Sequence, residues 1–272
     1  MQVPFIKMHG LGNDFVVLDG RTQAIPPMTA ALAAALADRR TGIGCDQLIL
    51  LQPSDAADFR MRIFNADGSE VEACGNATRA VGLLHGRPAR IETRGGLVSA
   101  DPGENGIAVE MGLPRFGWSE IPLAYAMDAQ AMPVAWEDLA DPIAVNVGNP
   151  HVIFFVPDCD AVDLQRLGPE IECDPLFPQR VNVNVATVTA RDAIRLRVWE
   201  RGAGLTLACG TGACATAVGA MRRGLVDRRV TVTLPGGPLT IEWREDGQIV
   251  MTGAAAESFR GSFDPAHFGV GE

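Results

Sequence analysis

The sequence predicts an α+β fold made of two similar lobes. Three observations lead there: a domain-length internal repeat, an excess of strand-like over helix-like segments, and no regular βαβ alternation. The repeat rests on four pairs of segments in the same order. Arg60 and Arg62 in FRMRIFNADG match Arg195 and Arg197 in IRLRVWERGAG, 135 residues further on. Cys74 in EACGN and Cys209 in LACGT keep that separation. Gly12-Asn13 matches Gly148-Asn149 at an offset of 136, and a Gly-Gly pair lies downstream of each cysteine in TRGGLV and LPGGPLTI. Nearly constant offsets in a fixed order point to duplication rather than to a chance likeness between alternating strands.

The elements follow from local chemistry. Pro26-Pro27 and Thr29 open a helix over TAALAAALADRR, residues 29–40, with Thr29 as its N-cap. RMRIF and RLRVW alternate with period two, as half-buried strands do, and so do VTVTL (230–234) and LTIEW (239–243). A helix is expected after Cys74 and another after Cys209. The Gly- and Pro-rich segment MGLPRFGWSEIP, residues 111–122, reads as the linker. The expected division is an N-terminal lobe of residues 1–117 carrying Cys74 and a C-terminal lobe of 118–262 carrying Cys209. A tail of 263–272 then returns to the first lobe. Two such lobes face to face would bring the two cysteines together across a cleft.

At 272 residues the chain can bury two cores. A net charge of −10 argues against nucleic acid or an anionic membrane as partner. No apolar run suits a signal peptide or a membrane span, so a cytoplasmic protein is expected. The six cysteines form no Cys-x-x-Cys pair and have no histidine at metal-site spacing, so free thiols and no metal are expected. Lys7 is the only lysine, so any Schiff-base chemistry would have to use it.

A cysteine at a helix mouth differs from one in a core. The first turn presents unpaired N–H groups and the positive end of the helix dipole. A carboxylate binds there, and a thiol there is expected to have its pKa lowered towards neutrality. Gly75 and Gly210 let a ligand approach the backbone. Cys45, Cys159, Cys173 and Cys214 read as packing; the matched pair Cys74 and Cys209 reads as functional. Ahead of each stands a strand end, Asn65 in one half and Glu200-Arg201 in the other. Arginine offers a fork for a carboxylate, glutamate receives an ammonium, and Asn13, Asn149 and Asn182 add amides.

Seven segments, KMHGLGNDF (7–15), GCDQ (44–47), NADGSE (65–70), ACGN (73–76), GNPH (148–151), ERGAG (200–204) and ACGTGACA (208–215), make the chain resemble the diaminopimelate epimerase family. The resemblance spans nearly the whole chain. It implies two lobes, each a mixed sheet wrapped around a central helix, with the site between them. It further implies conversion of LL- to meso-diaminopimelate without a cofactor, for lysine and peptidoglycan-precursor synthesis, usually by a homodimer. Carried over residue by residue, Cys74 and Cys209 are the acid/base pair, and His151 and Glu200 assist catalysis. Asn13, Gln47, Asn65, Gly75, Asn76, Asn149, Asn182, Glu200, Arg201, Gly210 and Thr211 contact the substrate. His9 and His85 are expected to be structural. The sequence departs from the family pattern at Cys45, Leu205, Ala77 and Ala80; Leu205 is expected to alter the surroundings of Glu200, and Cys45 to add sensitivity to oxidation. Two rival readings are a sister proline or hydroxyproline racemase with the same two thiols, and a non-catalytic thiol redox switch.

Overall fold

The computed structural model describes residues 2–72 and 74–269. The chain divides into two compact units, residues 1–109 with 253–272, and residues 110–252. Both boundaries differ from those expected, for identifiable reasons. The segment expected as a linker is anchored in the second unit: Arg115 forms a β-bridge with Asn146, and Asn146 Nδ2 donates to Glu120 O at 2.6 Å. The return to the first unit begins ten residues early because strand Ala256–Phe263 pairs antiparallel along strand Val3–Gly10. The last three positions of the expected tail lie outside the described residues.

In the first unit Val3–Gly10 turns into Asn13–Asp19 through Leu11 and Gly12, with φ of 58° and 91°. Positive φ at both central residues is the two-residue turn that suits strand twist, which explains the Gly12 beside Asn13. Asn13–Asp19 runs parallel to Gln47–Gln52, which pairs antiparallel with Phe59–Asn65. Helix Gly75–His85 packs on Val3–Gly10 and Gly96–Gly103, burying Asn76 to Gly82. Helix Ala30–Ala37 lies against Gln47–Gln52 and Phe59–Asn65, and Thr29 accepts from Leu32 N as its cap. The helix ends short of Arg40 because the Asp38 carboxylate takes the backbone N–H groups of Arg40 and Thr41.

The second unit repeats this order. Ile143–Asn146 pairs antiparallel with Pro150–Phe155, which runs parallel to Asn182–Ala190. That strand pairs antiparallel with Ala193–Glu200. Helix Gly210–Arg222 contacts six strands of the unit and is buried from Gly212 to Ala220. Each unit is therefore a mixed sheet around one central helix, and strands outnumber helices as expected. The equivalence adds a pair that sequence comparison missed: Gln47 and Asn182, again 135 residues apart, both open the strand following the parallel crossover. One helix escaped the sequence reading altogether, Leu164–Glu172, which carries Pro169 within it. Among the described residues no helix is long and apolar enough to cross a membrane.

Candidate active site

The two cysteines occupy the same local position. Cys74 is the N-cap of helix Gly75–His85, its Sγ accepting from Ala77 N at 3.5 Å. Cys209 is the N-cap of helix Gly210–Arg222, its Sγ accepting from Gly212 N at 3.3 Å. Sulfur at this position satisfies one of the orphan N–H groups that a helix start leaves. Gly212 eases the contact, since a Cβ there would lie 3.1 Å from Cys209 Sγ and 3.0 Å from Val198 Cγ2, and those side chains would have to give way slightly.

The expected lowering of the thiol pKa does not hold at Cys209. Burial raises it well above the usual thiol value, and the neighbouring Glu200 carboxylate raises it further, against weaker help from Thr211 and Gly212 N–H. Cys209 thus rests as a thiol, while Cys74 is partly exposed. Removing the Glu200 charge should reverse part of the shift. In Glu200→Gln the Cys209 thiolate is expected to appear at lower pH than in the unaltered chain, followed by thiolate absorbance during a pH titration. An unchanged or raised titration midpoint would reject the electrostatic account.

In the first unit the candidates form two hydrogen-bonded sets. Gln47 Nε2 donates to Asn65 Oδ1 at 3.0 Å, and Asn65 Nδ2 to Ser69 Oγ at 3.2 Å. Asn76 Nδ2 donates to Asn13 Oδ1 at 3.1 Å, and Asn13 Nδ2 to Asp46 Oδ2 at 3.0 Å. Gln47 Oε1 and Asn76 Oδ1 are buried acceptors that find no protein donor. Buried acceptors are rarely left so without a role, and both would suit an ammonium group. Behind Asn13, the Lys7 ammonium sits between Asp14 and Gly44 O, and Arg39 joins Asp14 to Asp46. Burial pushes the Asp14 carboxyl up, but the hydrogen bonds from Arg39 and Lys7 outweigh it and hold it well below the carboxylate range.

In the second unit Asn149 links two candidates: its Nδ2 lies 3.3 Å from Thr211 Oγ1 and its Oδ1 3.0 Å from His151 Nε2. Thr211 Oγ1 is 3.6 Å from Cys209 Sγ. Burial lowers the His151 pKa to about 4, with Arg201 adding to the effect, although the hydrogen bond to Asn184 opposes it. Glu200 accepts from Thr206 Oγ1 at 2.5 Å. Asn182 is spent on backbone, donating to Pro150 O at 2.8 Å and accepting from Arg201 N at 3.0 Å. Its amide holds the start of the Arg201 turn in place. Arg201 is exposed and one of its guanidinium N–H groups reaches Gln179 O at 2.8 Å.

Sequence reasoning missed Glu172 and Asn184. The Glu172 carboxylate is buried behind the ERGAG turn, accepting from Trp199 Nε1 at 2.7 Å and Gly202 N at 3.0 Å. Asn184 lies on the same strand face as Asn182, a period-two signal that was available in NVNVATV. Two expectations about other cysteines change. Cys45 is buried and its pKa is raised to about 11 by desolvation, so it is a poorly reactive core thiol rather than an oxidation hazard. Cys173, expected as packing, is exposed at the end of helix Leu164–Glu172. Leu205 is 40% exposed and brings no polar atom to Glu200, which accepts from the hydroxyl of the following residue, Thr206.

A family model described as diaminopimelate epimerase matches residues 5–117 and 143–257. A relative from Erythrobacter litoralis named diaminopimelate epimerase is 68% identical over 264 residues, covering 97% of this chain and 98% of its own. One of the same name from Rhizorhabdus wittichii is 68% identical over 270 residues, covering 99% and 98%. Among solved structures, a PhzF-family phenazine biosynthesis protein from Bacillus anthracis has a TM-score of 0.70 at 17% identity, covering 97% of this chain and 99% of that one. A hydroxyproline epimerase from Agrobacterium vitis has a TM-score of 0.67 at 17% identity, covering 98% and 93%. At those identities the likeness establishes a shared fold. Matches along both halves, together with full-length relatives at 68% identity, place this chain in the diaminopimelate epimerase family.

Proposed function

We propose that the protein is an isomerase of amino-acid biosynthesis that converts LL-diaminopimelate to meso-diaminopimelate, with Cys74 and Cys209 as its two acid/base groups and no cofactor. The observation that carries this reading is the matched pair of cysteine N-caps on the two central helices. Inverting a carbon centre takes a base on one face and an acid on the other, because a single group would have to cross the substrate. One thiolate removes the α-proton while the opposite thiol delivers another. The charge released flows onto the α-carboxylate, where the helix-mouth N–H groups next to Gly75 and Gly210 stabilise it.

The two sulfurs start unequal. Burial and Glu200 hold Cys209 as the thiol, so Cys209 begins as the acid and Cys74 as the base. A turnover leaves the proton on Cys74 and the charge on Cys209, and these are exchanged before the next turnover in the same direction. Gln47 Oε1 and Asn76 Oδ1 supply acceptors for a substrate ammonium. Arg201 receives the carboxylate of the second amino-acid centre. Lys7 is committed to Asp14 and Gly44 O, which supports chemistry without a pyridoxal Schiff base. The reading extends, on the family resemblance, to a cytoplasmic homodimer.

The test is incubation with LL-diaminopimelate in D₂O without added pyridoxal phosphate. Meso product with deuterium at the inverted carbon is expected, resolved by chiral chromatography and mass spectrometry. No meso product, with proline or hydroxyproline racemised instead, would replace this reading by the sister-racemase one.

A further inference from the structure

Asn184 is fully buried and meets three groups. Its Nδ2 donates to Gly212 O at 3.0 Å and to Thr216 Oγ1 at 2.9 Å, and its Oδ1 lies 3.2 Å from His151 Nδ1. A carbonyl oxygen only accepts, so this amide cannot turn over without setting Oδ1 against Gly212 O. His151 Nδ1 therefore always meets an oxygen. On the other side Nε2 faces Asn149 Oδ1 at 3.0 Å. Two oxygens against one ring are both satisfied only by an imidazolium. His151 is fully buried, its two hydrogen-bond partners are neutral amides, and the nearby Arg201 guanidinium disfavours a second positive charge. The neutral ring has one N–H to give.

We propose that Asn184 is a positioning residue that fixes His151 in its Nδ1–H tautomer and so leaves Nε2 as the lone-pair, proton-accepting nitrogen. The inference rests on the reading of His151 as part of the reacting site. Because Asn184 is pinned by Gly212 O, the amide that adapts is Asn149. A half-turn exchanges its Oδ1 and Nδ2 and keeps every heavy-atom distance. Asn149 Nδ2–H then donates to Nε2, and its Oδ1 turns to Thr211. The Thr211 hydroxyl can then donate to that oxygen, and its own oxygen lies 3.6 Å from Cys209 Sγ. The chain also closes on itself, since Gly212 anchors Asn184 through its carbonyl and caps Cys209 Sγ through its N–H.

The experiment is long-range ¹H–¹⁵N correlation on ¹⁵N-histidine-labelled full-length protein at pH 7, with His151 identified by its absence from His151→Gln. Protonated Nδ1 and unprotonated Nε2 are expected in the unaltered chain. In Asn184→Leu the Nδ1–H tautomer should lose its dominance, and kcat for LL-diaminopimelate should fall by about 10-fold or more with KM nearly unchanged, by analogy with the loss when the hydrogen-bond partner of a metal-bound histidine is removed. An Nε2–H tautomer or an imidazolium in the unaltered chain overturns the proposal whether or not the leucine variant folds. So does a folded Asn184→Leu that keeps both tautomer and kcat. The tautomer is read without substrate, so a chain that shows Nδ1–H yet fails to turn over diaminopimelate refutes the epimerase reading and leaves this one standing.

Discussion

Cys74→Ala and Cys209→Ala are each expected to lower kcat for LL-diaminopimelate by about 10³-fold or more while the fold survives. The magnitude follows from the division of labour. On the two-thiol reading each substitution removes the group assigned to one face of the reacting carbon, and the remaining thiol would have to serve both. The two losses should also be non-additive, because acid and base act in one event, so the double variant should be hardly worse than either single one. Stability changes little. Sulfur is a weak cap, at 3.5 Å from Ala77 N and 3.3 Å from Gly212 N, so its loss costs no more than about 1 kcal/mol of helix capping. Cys173→Ala is the control, an exposed thiol whose loss leaves activity unchanged. Turnover and circular dichroism on the same preparations decide the matter. A folded Cys74→Ala with near-normal kcat would end the two-thiol mechanism.

The cap cysteines were legible in the sequence because their signal is local. Ala-Cys-Gly before an Ala-rich helix, repeated at constant spacing, says where the sulfur sits without knowledge of the rest of the chain. The thiol chemistry was not legible, because the pKa of Cys209 depends on how deeply the second unit buries it and on Glu200, nine residues earlier. The helix end alone argued for a lowered value; desolvation is the larger effect. Asn182 shows the same limit. Its place at a strand start was readable, but not that Pro150 O and Arg201 N already occupy its amide. Glu172 belongs to no motif singled out in the sequence, and only the fold brings its carboxylate to Trp199 Nε1 and Gly202 N. The strands at RMRIF, RLRVW, VTVTL and LTIEW were read correctly from alternation, while the boundaries between units were not. Gly and Pro in residues 111–122 suggested a free linker, and only the pairing of Arg115 with Asn146 assigns it to the second unit.

Arg201 carries the second large effect, on substrate choice. Its backbone is held from both sides: Asn182 takes its N–H, and Glu172 takes the N–H groups of Gly202 and of the Trp199 ring. The guanidinium therefore projects from a fixed strand end rather than from a loose loop. Of its five N–H donors one goes to Gln179 O, which leaves the planar fork able to take a carboxylate in two parallel hydrogen bonds. A site built around such groups penalises ligands that leave them unpaired, by about 10⁴-fold in strong cases. Lysine, which lacks the distal carboxylate, should accordingly show kcat/KM about 10⁴-fold below that of LL-diaminopimelate. Arg201→Met should remove most of the diaminopimelate activity and narrow that gap by at least about 10-fold, since the methionine penalises neither substrate for a missing carboxylate. Arg201→Lys should fall between, keeping the charge and losing the fork. Paired measurements of kcat/KM on both substrates for the three proteins give the answer. Comparable values for lysine and diaminopimelate in the unaltered chain, or an Arg201→Met variant that loses both equally, would remove Arg201 from substrate selection and leave it a role in holding the turn to Gln179.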